Sequence, residues 1–159
     1  MSKSQISLDH ILSKLAEESE AAQTRFENAS EVIRKPLSTE IATTPYEVVY
    51  EEDRVKLKHY KPKKPLKFKK PLLIVYALIN RETMLDLQPG RSVVQKLLDD
   101  GIELYMVDWG NPTRMDRFLT IDDHVNGYMD NIVDFILKRH KIPNLNLMGI
   151  CMGGAFSVM

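Results

Sequence analysis

Gly149-Ile150-Cys151-Met152-Gly153 is the stretch of this sequence whose residue types and spacing best suit chemistry. It has the pattern Gly-x-nucleophile-x-Gly of a nucleophile elbow, with cysteine at the reactive position. A nucleophile held on a sharp strand-to-helix turn takes strained backbone angles. Side chains two residues to either side would then strike the adjoining strand and helix, and glycines at 149 and 153 remove that conflict. Unpaired backbone N–H groups where a helix begins near Met152 would favour negative charge on the Cys151 sulfur. The N–H of Met152 would supply half of an oxyanion hole. An N–H from the turn after the first long strand, around Leu78 to Asn80 and assigned to Leu78, would supply the other half. The bland alternative is a cysteine that serves only as a small buried hydrophobe.

The elbow needs a strand before it and a helix after it. Asn144 to Met148 reads as the strand, and Gly154-Ala155 as a small-residue helix start. Upstream, Leu72 to Ile79 is nearly continuous apolar sequence, as expected of a strand buried on both faces. It is far shorter than the roughly 20 residues of a membrane-spanning helix. A helix is expected after Gly90, capped by Ser92, turning Val93, Val94, Leu97 and Leu98 inward and ending at Gly101. Ile102 to Val107 is the next strand. Thr120 and Asp123 have capping-box spacing at the head of a long helix, with Ile121, Val125, Met129, Ile132, Val133 and Ile136 on its buried face. This alternation of strands and helices predicts an α/β fold with a mainly parallel sheet.

Before it, Glu47 to Glu51 and Arg54 to Tyr60 predict an antiparallel hairpin. Residues 1–45 contain no glycine and read as an N-terminal helical region, distinct from the α/β part at 46–159. Leu8, Ile11, Leu12 and Leu15 form one amphipathic stripe, and a second helix is expected over residues 21–34. The stripe suits packing within the domain or docking of a partner.

Twenty-two basic and 22 acidic residues give a formal net charge of zero, so no global field favours nucleic acid or an anionic membrane. Six lysines fall between Lys61 and Lys70, but the prolines among them exclude a regular basic helix and predict a solvated loop. The single cysteine forms no internal disulfide, and no stretch has the order of a secretory signal. A cytoplasmic setting is expected. Nothing matches a zinc, P-loop or dinucleotide fingerprint, so neither a metal nor a cofactor is expected.

Several stretches, in order, carry a resemblance: residues 71–81, Met84-Leu85-Asp86-Leu87, Tyr105-Met106-Val107-Asp108-Trp109-Gly110, residues 119–123, Asn126-Gly127-Tyr128 and residues 147–154. Over about residues 44–159 the chain resembles the catalytic subunit of polyhydroxyalkanoate synthases, of the two-subunit, class III-like type. The resemblance implies an α/β-hydrolase fold with Cys151 at the lipase-box position. It implies an acyltransferase that moves (R)-3-hydroxyacyl groups from CoA thioesters, through a cysteine acyl-enzyme, to a growing polyester. It also implies a second, non-catalytic synthase subunit as partner and attachment to the surface of polyhydroxyalkanoate granules. A thiol suits that task, since exchange of one thioester for another keeps the acyl group activated for the next hydroxyl.

An α/β-hydrolase site takes its acid and then its histidine from after the nucleophile. Here His10, His59, His124 and His140 all precede Cys151. His124 and His140 bracket the long helix and read as surface or cap residues. The expectation is therefore an N-terminal fragment truncated after the elbow, lacking the catalytic Asp and His, which folds poorly and does not polymerise. Two further readings share these residues: a cysteine-dependent α/β hydrolase passing the acyl group to water, and a non-catalytic interaction fragment.

Overall fold

A computed structural model describes residues 41–159 together with residue 14 and residues 16–24. The chain divides into two units, Met1–Thr39 and Glu40–Met159. In the first, residues 16–24 are helical, which includes the start of the helix expected at 21–34. The stripe Leu8, Ile11, Leu12 and Leu15 lies outside the described residues, as does the rest of that helix.

The second unit is built on a five-stranded sheet. Its strands are β1 (Glu47–Glu52), β2 (Val55–Tyr60), β3 (Leu72–Val75), β6 (Leu104–Asp108) and β7 (Asn146–Gly149), in spatial order β1-β2-β6-β3-β7. Strands β4 (Asp86–Gln88) and β5 (Arg91–Ser92) form a separate two-stranded ribbon. The hairpin β1–β2 pairs antiparallel, β2 runs antiparallel to β6, and β6, β3 and β7 are mutually parallel. An antiparallel hairpin feeding a parallel sheet, with a sharp strand-to-helix turn after the third parallel strand, is the α/β-hydrolase arrangement. The lysine-rich segment, residues 61–70, is an exposed loop apart from the half-buried Pro62, as expected.

Strand alternation divides the core between two faces. Leu73, Val75, Tyr105 and Val107 share one face with Ile132, Ile136 and Phe156, while Ile74, Leu104 and Met106 share the other with Val94 and Tyr60. Helices α2 (Asp130–His140) and α3 (Met152–Phe156) cover the first face, and α1 (Val93–Asp99) covers the second. Leu73, Ile74 and Val75 are each 0% exposed. Burying such a side chain is worth about 1.5–3 kcal/mol, so β3 is a major source of stability as well as the middle of the parallel trio.

The caps follow the sequence. Ser92 Oγ accepts from Gln95 N at 2.9 Å to start α1. Thr120 and Asp123 bond reciprocally: Thr120 N and Oγ1 both donate to Asp123 Oδ2 at 2.7 Å, and Asp123 N donates to Thr120 Oγ1 at 3.2 Å.

Three expectations need correction. Ile79 is 88% exposed, because β3 ends at Val75 and the chain turns away from the sheet. Val93 is 46% exposed, since it opens α1 on the side away from the sheet, while Val94 faces in. The third concerns the long helix. Asp123–Met129 winds as a π-helix before α2, and the wider i→i+5 turn brings round residues that a 3.6-residue period leaves outside. Ile121 is 52% exposed, whereas His124 and Tyr128 join Val125 and Met129 inside. His124, at 4% exposure, is therefore a buried residue rather than a surface one. His140 is mostly covered too, its Nε2 lying 2.8 Å from the Tyr105 hydroxyl.

Three tyrosines give the fold an alkaline limit. A hydrogen bond to Glu52 raises the pKa of Tyr50 from 10.0 to about 12, burial raises that of Tyr105 to about 12, and a hydrogen bond to Asp53 does the same for Tyr128. Each folded value lies above its unfolded one, so the folded state keeps protons that the unfolded state has lost. The stabilisation is complete below pH 10 and disappears as pH rises towards about 12. Denaturant midpoints followed by circular dichroism are expected to hold to about pH 10 and then fall. A midpoint unchanged at pH 12 contradicts this.

Candidate active site

β7 delivers the elbow. The pairing of β7 with β3 runs through Val75↔Gly149 and ends with Ile150 N donating to Val75 O at 2.9 Å. The chain then reverses at Cys151, whose φ of 56° and ψ of −124° lie in a region that L-residues rarely occupy, at a strain of about 1–3 kcal/mol. Gly153 N donates to Ile150 O at 3.0 Å and Gly154 N to Cys151 O at 2.9 Å, which locks the turn into α3. Cys151 is left exposed at its tip.

The flanking glycines have the reason expected of them. A Cβ on Gly149 would lie 2.5 Å from Gly154 Cα and closer still to Gly153 O, striking the helix. A Cβ on Gly153 would overlap the Val75 carbonyl of β3. Each glycine therefore lets one neighbouring element approach the elbow closely. Met152 is the first residue of α3, directly after the thiol, and half-buried Leu78 lies in the loop after β3. The helix behind Cys151 has only five residues, so its short dipole adds little.

The loops beside the elbow are held by buried charge. Lys58 Nζ on β2 reaches Glu82 Oε1 at 2.5 Å and Asp108 Oδ2 at 2.8 Å, tying the loop after β3 to the end of β6. Burial alone would lower the pKa of Lys58, but its hydrogen bonds to Asp108 and Glu82 outweigh that and hold it above the usual value. Trp109 is 4% exposed and its Nε1 donates to Tyr76 O at 3.1 Å, so Asp108-Trp109-Gly110 braces the two strand ends.

Arg54, in the β1–β2 turn, is a hub that the sequence did not single out. Its Nε donates to Trp109 O at 2.9 Å, its Nη1 pairs with Asp116 Oδ1 at 2.5 Å, and its Nη2 faces His124 Nε2 at 3.3 Å. The Nη1 contact is an ion pair that is not aligned as a hydrogen bond. His124 Nδ1 lies 2.7 Å from Thr120 O, which places the proton on Nδ1 and leaves Nε2 to accept from Arg54. His124 also stacks on Phe156 of α3, with ring centroids 6.4 Å apart, so it packs behind the elbow. Asp116 receives hydrogen bonds from the Thr113 backbone and side chain, and with Arg54 nearby its carboxyl is held below the usual range.

A cavity of about 430 Å³ opens between the loops after β3 and β6. Leu78, Asn80, Arg81, Asn111, Arg117 and His124 are among its walls, and Cys151 is not. Arg81 Nη2 donates to Asn111 Oδ1 at 2.6 Å and so links the two loops. Among the described residues, no helix is long and apolar enough to cross a membrane.

Comparison with known proteins gives the family of the chain. The family described as "Poly-beta-hydroxybutyrate polymerase (PhaC) N-terminus" matches residues 5–97. The poly(3-hydroxyalkanoate) polymerase subunit PhaC of Haloferax mediterranei is 48% identical over 146 residues, covering 92% of this chain and 28% of that protein. The subunit of the same description from Thiocystis violacea is 41% identical over 147 residues, covering 92% of this chain and 41% of the relative. That from Synechocystis sp. is 47% identical over 121 residues, covering 75% and 32%. The chain thus spans between 28 and 41% of the length of these relatives. Among solved structures, Francisella virulence factor BioJ is similar with a TM-score of 0.47 and 22% identity, over 84% of this chain and 43% of that one. A soluble variant of Saccharomyces cerevisiae monoglyceride lipase is similar with a TM-score of 0.48 and 19% identity, over 76% and 40%. On the family match and the identity to these subunits, the chain belongs to the poly-beta-hydroxybutyrate polymerase (PhaC) N-terminal family.

Proposed function

We propose that this chain supplies the nucleophile of a polyhydroxyalkanoate synthase: Cys151 takes an (R)-3-hydroxyacyl group from its CoA thioester and holds it as a thioester for transfer to a polyester chain. The observation that carries this reading is an exposed cysteine at positive φ, on a turn that two glycines alone make possible. In this reading the thiolate attacks the thioester carbonyl and the Met152 and Leu78 amides receive the oxyanion. The C–S bond to the carrier then breaks and free CoA leaves as thiol. In this reading residues 46–159 are the N-terminal part of the catalytic domain. Polymer formation, the second subunit of a two-subunit synthase, cytoplasmic granule attachment and a catalytic acid and histidine belong, in this reading, to a synthase of the relatives' full length. The step assigned to these 159 residues is a single acyl transfer, without turnover.

The test is incubation with (R)-3-hydroxybutyryl-CoA, followed by intact mass and free CoA measurement. One hydroxyacyl group is expected on Cys151, with one CoA released per chain. Repeated CoA release with free hydroxy acid as sole product supports a hydrolase instead. Absence of any adduct, with slow and unselective alkylation of Cys151, supports a non-catalytic interaction fragment.

A further inference from the structure

We propose that the cavity between the loops after β3 and β6 seats the phosphate groups of the acyl donor's carrier, gripped by Arg81 and Arg117. This inference rests on the acyl-transfer reading of Cys151. The cavity, at about 430 Å³, is within the range of about 300–1,000 Å³ typical of small-molecule sites. Three guanidinium groups line it against one carboxylate. Asp116 is committed to Arg54, while Arg81 and Arg117 stand exposed along the cavity wall, open to an incoming anion. Among the described residues, no carboxylate lies within ion-pair distance of either. Arg81 meets the neutral Asn111 amide, and Arg117 lies over the Phe118 ring at 4.6 Å. In a chain of zero net charge, two such groups facing one cavity form a local anion site. Guanidinium is the side chain best shaped for phosphate, since it donates two parallel hydrogen bonds to one group.

The placement suits a ligand that also reaches Cys151. Loops at the carboxyl ends of β3 and β6 form the cavity, on the edge where β7 presents the thiol. β3 lies between β6 and β7, so with strands about 4.8 Å apart the cavity begins roughly one strand spacing from the elbow. CoA carries its diphosphate on a long pantetheine arm, so its phosphates can occupy the cavity while its thioester meets Cys151. Leu78 and Leu119 give the arm an apolar wall. Fixing the carrier there orients the thioester without any contact at the reacting carbon.

The experiment measures acylation of Cys151 by two donors in the 159-residue chain: 3-hydroxybutyryl-CoA, and 3-hydroxybutyryl-pantetheine, which lacks phosphate. In the double variant Arg81→Gln/Arg117→Gln, half-saturation by the CoA donor is expected to rise at least about tenfold, with the limiting rate little changed. The pantetheine donor should be unaffected, and Arg81→Lys/Arg117→Lys should recover part of the loss. Equal effects on both donors, or none on either, overturn the proposal. If neither donor acylates the native protein, the acyl-transfer reading has failed, and calorimetric titration with CoA decides the anion site separately. CoA binding that the double Gln variant loses and inorganic pyrophosphate competes for supports the site. No binding, or binding unchanged by the variant, overturns it. Circular dichroism checks that both variants fold.

Discussion

Cys151→Ala is expected to take up no hydroxyacyl group at all, while its circular dichroism matches that of the native chain. Cys151 is the single cysteine in 159 residues, so no second thiol can substitute for it. Its side chain is exposed at the turn and makes no part of either core face, so removing the sulfur costs little packing. Alanine meets the same φ of 56° with the same Cβ, which leaves the backbone strain unchanged. Cys151→Ser separates the thiol's chemistry from its position. A thiol ionises appreciably near neutral pH, whereas a serine hydroxyl depends on a general base, whose contribution is typically about 10²–10⁴-fold. The serine variant should therefore be acylated slower by about that factor, even though its elbow is intact. An adduct on Cys151→Ala at the native rate would show that the acyl group goes elsewhere, and the assignment of the nucleophile would fail.

The elbow was legible in the sequence because its constraint is local. Five residues fix a strained turn, and the two collisions that require glycine arise within a few residues of Cys151 or on the next strand. The caps at Ser92 and Thr120 were legible for the same reason. What the sequence concealed depends on long-range contact. Arg54 acts on residues 55 and 70 positions away, and nothing beside it in the chain marks it as a hub. The Lys58 pair joins three elements that only the sheet order brings together. The turn at Thr113 had a readable signal, since Thr113 and Asp116 repeat the spacing of Thr120 and Asp123. The burial of His124 had none, because a π-helix changes which residues face inward without leaving a mark in the apolar period. The arginine-lined cavity was hidden because two loops 30 residues apart supply its Arg81–Asn111 link.

Adjacent glycines in the elbow should respond in opposite ways to the same substitution. In Gly153→Ala the new Cβ overlaps the Val75 carbonyl and stands 2.9 Å from Tyr76 O. Both are backbone atoms of β3 or its extension, so no side-chain rotation relieves them. Separation of α3 from β3 would loosen the Ile150–Val75 hydrogen bond and the Val75↔Gly149 pairing, the contacts that hold Cys151 at its angle. Overpacking that side chains can relieve costs about 1–3 kcal/mol. A clash against fixed backbone should reach the upper end of that range or beyond, a fall of about 10 °C in melting temperature for a unit of this size. In Gly154→Ala the nearest atom to the new Cβ is Gly149 O at 3.6 Å, an ordinary contact, and the residue is helical. Alanine there should be neutral or stabilising by up to about 1 kcal/mol. Selective alkylation of Cys151 should accordingly be lost in Gly153→Ala and kept in Gly154→Ala. If the two variants melt within a degree or two of each other, the close approach of α3 to β3 is not what shapes this turn. The positive φ of Cys151 would then have to be held by α3 alone, which its five residues are too few to do.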